Sequence, residues 1–432
     1  MPGAAVAGAD TVWMLVSTAL VLLMTPALGF FYGGLVRAKN ALNTLMMSVA
    51  ALGFVGVAWA LCGYSLAFGG GSAVVGGLSR ALLRGVGLDA QGAIPHLVFA
   101  AYQGTFAIVT AALISGAVVE RMQFRAYLTF ITAWSLAIYA PLAHWVWGGG
   151  WLAKLGALDF AGGTVVHINA GTAAAVAALV LGPRKDYARQ AILPHNVPFT
   201  VLGAGLLWFG WFGFNGGSAL AANAVAALAF VNTMLAPAAT LLVWTLLDFI
   251  RTGRATAVGG ATAIVVGLVA VTPAAGFVGP LAALAVGAVA APLSYYAILW
   301  RSRTPLDDSL DVLAAHGIGG TVGAVLTGVL AERTWNGLAD GLIAGNPAQV
   351  GIQVVAVLAA VAYSGLGTAG LLKAVGVVLP LRVDDPRDEG LGLDVSQHGE
   401  EAYTTGEGAI LVLSEPAVGS PEPTPEPAGG PA

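Results

Sequence analysis

The chain reads as an all-α integral membrane protein of eleven transmembrane helices, arranged as an inverted five-helix repeat plus one extra helix. Three observations predict it. Only 9% of the 432 residues are charged while 57% are hydrophobic, and mean hydropathy is +0.82; a soluble domain carries about 25% charged residues. Eleven apolar stretches approach the roughly 20 residues that a helix needs to cross a bilayer. Two histidines, His167 and His316, lie inside such stretches with matching surroundings. The 60 glycines agree, because small residues let helix backbones approach closely in lipid.

The spans fall at 12–36, 43–68, 97–119, 126–146, 163–182, 197–216, 223–250, 257–275, 278–300, 310–331 and 350–373. The first apolar run, Trp13 to Leu35, is long enough to span, and no cleavage site follows it, so it reads as a helix and not a leader. Spans eight and nine have no charge between them, and Thr272-Pro273 marks their division. An odd count puts the termini on opposite sides, and basic residues choose the sides. With the N-terminus outside, the inner connections hold Arg37, Lys39, Arg121, Arg125, Arg184, Lys185, Arg189, Arg251, Arg254, Arg301, Arg303, Lys373, Arg382 and Arg387. The outer ones hold only Arg80, Arg84, Lys154 and Arg333, fourteen against four. The reading is a multi-pass protein of the cell (inner) membrane, N-terminus outside and C-terminus cytoplasmic.

Residues 1–380 form the transmembrane domain. Residues 381–410 mix charge with Gly, Leu and Tyr and read as a cytoplasmic C-terminal regulatory segment able to fold locally. Residues 411–432, rich in Pro and Glu, read as a disordered tail. The single cysteine, Cys62, rules out an intrachain disulfide. The net charge of −4 gives no case for nucleic acid.

An ionisable side chain at membrane depth is costly and usually faces a cavity or a partner. Asp159 lies eight residues before His167, and Asp308 eight before His316; Gly171-Thr172 and Gly320-Thr321 follow at equal offsets. The segment Gly29 to Gly34, with Asn40 after it, rhymes with Gly213 to Gly217, with Asn223 after it. Five spans per half make the repeat inverted, and such folds hold their site between the halves near the midplane. Neutral imidazole carries one donor and one acceptor, so a pair can share a proton and still offer a polar edge to a pore. Such a pair would pass a small neutral hydrogen-bonding molecule or relay a proton. No third Cys, His or carboxylate sits near the pair at zinc-ligand spacing, so neither metal nor cofactor is expected. His96, His144 and His195 read as structural.

Tryptophans cluster at the outer ends of spans four and six, through Trp145-Val146-Trp147-Gly-Gly-Gly-Trp151 and Trp208-Phe209-Gly-Trp211-Phe212-Gly-Phe214. Interfacial anchoring accounts for most of them. A cage of Trp and Phe beside the Ser218 hydroxyl also makes a monovalent cation site, since an aromatic face attracts cations. Asp159 reads first as a helix N-cap that adds negative field at the vestibule; Asp308 and Asp311 read as caps or inner-mouth charge.

The stretch Asp159-Phe-Ala-Gly-Gly-Thr-Val-Val-His167-Ile-Asn-Ala-Gly resembles the ammonium transporter family, Amt/Mep/Rh, in its bacterial Amt-type branch. So do Gly29-Phe-Phe-Tyr-Gly-Gly-Leu, Tyr102-Gln-Gly-Thr-Phe106, Ala143-His-Trp-Val-Trp147, Trp211-Phe-Gly-Phe214-Asn-Gly-Gly-Ser218, Asp308 to His316-Gly, and Gly392 to Tyr403. The resemblance runs from about residue 10 to 405. It implies a homotrimer with one pore per subunit. It also implies an outer ammonium site of Phe106, Trp147 and Ser218, with Asp159 needed for it. Phe106 and Phe214 would form the gate with Trp211 alongside, and His167 and His316 the twin pore histidines. A PII-class regulatory protein at the cytoplasmic face is a further family expectation.

Ammonium and potassium match in charge and size, so an aromatic cage alone cannot separate them. A dry passage can: ammonium sheds a proton and crosses as ammonia, while potassium pays full desolvation. The expected function is ammonium transport by that route, with an ammonium sensor signalling through its tail as the alternative. A sensor needs a recognisable signalling domain, for which about 50 residues after 380 leave no room. An unrelated secondary transporter would need carboxylates or a basic residue at mid-span, and an enzyme a nucleophile–base set; neither is visible.

Overall fold

The computed structural model describes residues 6–383 and 386–403. The tail assigned to 411–432, and the 381–410 segment beyond Tyr403, lie outside the described residues. Eleven helices follow the eleven apolar stretches: α1 Gly8–Leu35, α2 Ala38–Phe68, α3 His96–Val118, α4 Phe124–Leu155, α5 Gly163–Leu181, α6 Val197–Gly217, α7 Ala224–Thr252, α8 Ala257–Val271, α9 Pro280–Arg301, α10 Leu313–Leu330 and α11 Ala348–Val378. Ten are long and apolar enough to cross a membrane; α8, with 15 residues, is the short one. At 1.5 Å per residue it rises only about 22 Å, short of a roughly 30 Å hydrocarbon core.

The chain completes that crossing as irregular backbone through residues 272–279, at the division marked by Thr272-Pro273. Non-helical backbone survives at membrane depth only inside protein, and residues 272–279 are all buried. The Asn232 amide of α7 donates to the carbonyls of Ala275 and Val278, both at 2.8 Å, supplying partners that lipid cannot.

The repeat is visible in how His167 and His316 are held. His167 sits in a π-helical turn, Gly163–Ile168, that opens α5; His316 sits in another, Leu313–Ile318, that opens α10. Helices α1 and α6, which begin the two halves, pack along a glycine stripe: side chains at Gly203, Gly210 and Gly213 would strike Phe31, Met24 and Leu20. Helix α11 closes the outside against α4, α5 and α10.

The paired glycines explain the central crossing. A Cβ on Gly171 would run into the backbone of Gly317, and one on Gly320 would press on the Gly163 carbonyl and His167 Cβ. Only glycine lets the first turns of α5 and α10 cross so closely.

The arginine-bearing ends of the helices share one ionic web. Glu120 is 1% exposed, in left-handed backbone at φ 67°, and accepts from Arg37, from the Asn40 amide and from Arg184 Nη1 at 2.8 Å. Arg184 forks onto Asp307 at 2.9 and 2.8 Å, and buried Arg121 donates to the carbonyls of Gly182 and Asp307. The post-membrane segment docks on this web. Asp394 accepts from the backbone N–H groups of Leu42 and Asn43, Leu393 N donates to Asn40, and Lys39 reaches the carbonyls of Glu389 and Gly390.

Two outcomes follow for stability. Gly171→Ala should overpack the crossing by about 1–3 kcal/mol and lower the thermal midpoint in detergent, while Gly370→Ala, which faces open space, should not. Burial pushes the Glu120 and Asp307 carboxyls up, but Arg184, joined at Glu120 by Arg37, outweighs it and holds both below the usual range. Their contribution is therefore complete above the unfolded value near about 4 and disappears as pH falls through the lowered folded values. A loss of thermal midpoint below about pH 4 is expected, and that acid loss should be weaker in Glu120→Gln than in the unmodified chain.

Candidate functional site

At the end of the bundle opposite the arginine web, a cavity of about 300 Å³ is lined by Phe106, Trp147, Ser218, Gln103 and Phe160 among others. The Trp147 ring meets Phe106 edge-on, at 6.0 Å and 89°. Its indole N–H donates to the Asp159 carbonyl at 2.9 Å, which fixes the ring's tilt. Ser218 Oγ donates to the Phe214 carbonyl at 2.8 Å. With its hydrogen committed, the lone pairs of that oxygen are left for a donor in the cavity.

The Asp159 carboxylate does not line this cavity. Its two oxygens accept from the N–H groups of Gly162, Gly163, Thr164 and Val165 at 2.6–3.0 Å. These are the orphan donors of the turn that carries His167, so Asp159 is the cap that turn requires. It reaches the cavity wall through its carbonyl, which holds the Trp147 indole. Asp308 is the counterpart below His316, with Oδ2 accepting from Leu313 N at 2.7 Å.

Phe106 and Phe214 stack at 4.2 Å and 26°, both 1% exposed, and shut the cavity floor. Beneath lies a void of about 10 Å³, lined by His167, His316, Trp211, Phe214 and aliphatic side chains such as Val109, Leu113 and Val265. A water needs about that much room, so the void has space for about one water-sized molecule. Trp211 stacks on His167 at 5.4 Å and 21°, held by its indole N–H on Thr272 Oγ1 at 2.9 Å.

The two imidazoles meet Nδ1 to Nδ1 at 3.2 Å. Between neutral rings such a bond needs one Nδ1–H and one bare Nδ1, so the rings adopt opposite tautomers. One Nε2 is then an acceptor and the other a donor. His167 Nε2 is buried and bonded to no described protein group. His316 also lines a second cavity of about 330 Å³, with Arg184, Tyr187, Arg301 and Asp311, at the arginine-bearing end. Asp311, with φ 59°, pairs with Arg301 at 2.7 Å on the wall of this cavity.

The residues singled out from sequence thus meet in one column: Trp147 and Ser218 at the top, Phe106 on Phe214, then Trp211, His167 and His316. His96, His144 and His195 lie elsewhere, bonded to Tyr64, to the Ala67 and Ser72 carbonyls, and to Val36 O and Tyr403. Two contributors were missed. Tyr102 packs on Phe106 at 4.9 Å and donates to the carbonyls of Gly213 and Phe214, tying α3 to α6 beneath Ser218. Gln103 lines the outer cavity. Both stand in the motif that ends at Phe106, three and four residues before it, a helical spacing that announces a shared face.

The family model described as Ammonium Transporter Family matches residues 12–403. The chain belongs to this family. It is 46% identical over 399 residues to the ammonium transporter of Bacillus subtilis, covering 91% of this chain and 98% of the relative. The crystal structure of Saccharomyces cerevisiae Mep2 superposes with a TM-score of 0.85 at 37% identity, covering 94% and 93% of the two chains. A structure titled Sensor Amt Protein superposes at 0.84 with 29% identity, covering 90% and 98%. The protein is therefore a multi-pass membrane member of a transporter family, and its curated relatives are named as transporters.

Because Asp159 satisfies four donors, its loss should unseat both Trp147 and the His167 turn. Asp159→Ala is expected to lower the thermal midpoint and shift the tryptophan emission of purified protein, with Asp159→Asn, which keeps one acceptor oxygen, falling between.

Proposed function

We propose that the protein moves ammonium across the cell membrane by binding the ion in the outer cavity and conducting ammonia through the histidine lumen. One observation carries this reading. Between the two roomy cavities lies a void of about 10 Å³ whose walls are apolar apart from the two imidazoles and the bonded Trp211 indole. A bare cation entering that space loses its hydration and meets no charge in return. Ammonia, a donor and an acceptor in one molecule, matches one bare Nε2 and one Nε2–H.

Ammonium rests against the faces of Trp147 and Phe106 and donates to Ser218 Oγ. Its proton leaves at or above the Phe106–Phe214 stack, which must part to admit ammonia. The proton either returns outside or follows through the imidazole pair. The arginine-bearing end faces the cytoplasm of the inner membrane, in keeping with the basic-residue excess of the inner connections. A homotrimer, and a PII-class partner at the cytoplasmic mouth beside Arg301 and Asp311, follow from the family resemblance. The segment 381–403, docked on Asn40 and Lys39, is the part through which regulation would reach the pore.

The sensor reading shares this fold, and uptake separates the two. Labelled methylammonium uptake into proteoliposomes, competed by ammonium, is expected in the unmodified chain and to fall at least tenfold in Trp147→Leu and His316→Ala. Unchanged uptake in both variants overturns the site, and absent uptake in a correctly inserted preparation favours the sensor. Ammonium-evoked current in the unmodified chain, altered in His167→Asp, marks net charge transfer; no current alongside active uptake leaves the neutral route.

A further inference from the structure

Phe99, Gln103 and Phe106 stand at i, i+4 and i+7 on α3, so they share one helix face. All three line the outer cavity. Two are aromatic, and the residue between them is an amide. Gln103 is only 9% exposed, and its amide makes no hydrogen bond to any described residue. The amide is not among the fully enclosed side-chain atoms that lack a partner, so it opens onto the cavity and is free to bond what occupies it.

Its polar neighbours are all engaged within the protein. The Tyr102 hydroxyl is taken by the carbonyls of Gly213 and Phe214, Thr105 Oγ1 donates to the Tyr102 carbonyl, and the Ser218 hydrogen goes to Phe214. The Gln103 amide is the exception on this wall, left to bond water or substrate in the cavity.

We propose that Gln103 is a second hydrogen-bond acceptor of the outer site, reading the N–H groups of ammonium together with Ser218 Oγ. The inference rests on the outer cavity being the ammonium site. Ring faces attract any monovalent cation of suitable size, so Trp147 and Phe106 supply charge stabilisation without telling ammonium from potassium. Ammonium carries four directional donors and potassium none. Two oxygens at fixed positions on the wall therefore favour the ion that can aim N–H bonds at them, and orient it over Phe106. Potassium coordinates neutral oxygens too, but only a full shell of them replaces its hydration, whereas two at fixed positions are enough to orient ammonium's N–H bonds.

The test measures KM and kcat for methylammonium uptake in proteoliposomes, with ammonium and potassium as competitors, for Gln103→Met and Gln103→Glu. Methionine keeps the length of glutamine and removes the acceptor. Its KM, and the ammonium concentration that halves uptake, should rise about tenfold or more, with kcat held within about twofold of the unmodified chain. Glutamate should lower KM and make potassium an inhibitor. Ser218→Ala and Trp147→Leu run in parallel. If either raises KM while Gln103→Met leaves it within twofold, the role of Gln103 is overturned and the site stands. If none of the three moves KM, the outer-site reading falls and takes this inference with it. Should Gln103→Met fail to insert, Gln103→Glu decides, and an absence of potassium inhibition overturns the proposal.

Discussion

Every backbone donor at membrane depth must find a partner within the protein, and this requirement governs how the pore is made. The π-helical turns at Gly163–Ile168 and Leu313–Ile318 set the two imidazoles in the lumen, and each leaves the N–H groups at its start without helical partners. Asp159 collects four of them on two oxygens, and Asp308 serves the other turn. Without those carboxylates the turns could not open in lipid, and the histidines would lose their places. The outer cage hangs from the same point, because the Asp159 carbonyl holds the Trp147 indole.

Close approach is the second requirement, and glycine meets it. Gly171 and Gly320 let α5 and α10 touch backbone to backbone, which brings His167 and His316 within hydrogen-bonding distance. The irregular stretch after α8 serves the same end. Thr272 in it fixes Trp211, and Pro273 packs on Gly163, so the break supports the lumen from its far side.

Much of this was legible in the sequence. Membrane spans announce themselves because lipid tolerates so few charges. The matched Asp, His and Gly offsets registered because a repeated site keeps its spacing even where the surrounding apolar residues drift. The break at Thr272-Pro273 could be read but not explained, since its support comes from Asn232, some 40 residues away. The capping role of Asp159 was readable from its position before an apolar run, whereas its grip on Trp147 runs through a carbonyl, which no residue identity encodes. Tyr102 and Gln103 were overlooked for another reason. Their partners, Phe214 and the cavity itself, belong to the tertiary arrangement, and a lone amide in an apolar span carries no meaning until one sees what it faces. The ionic web on Glu120 likewise joins four distant connections that sequence order keeps apart.

Were protons to cross through the imidazole pair, as the proposed route allows, its opposed tautomers would give the passage a memory. Suppose His167 offers its bare Nε2 upward and a proton arrives there. The Nδ1 hydrogen slides across to His316, which releases its own from Nε2 downward. Both rings are now reversed, and the upper one presents a hydrogen where it had a lone pair. A second charge from above finds the door occupied until something restores the starting order. Conduction of protons by this route would therefore proceed one at a time, each obliged to wait until both rings exchange tautomers again.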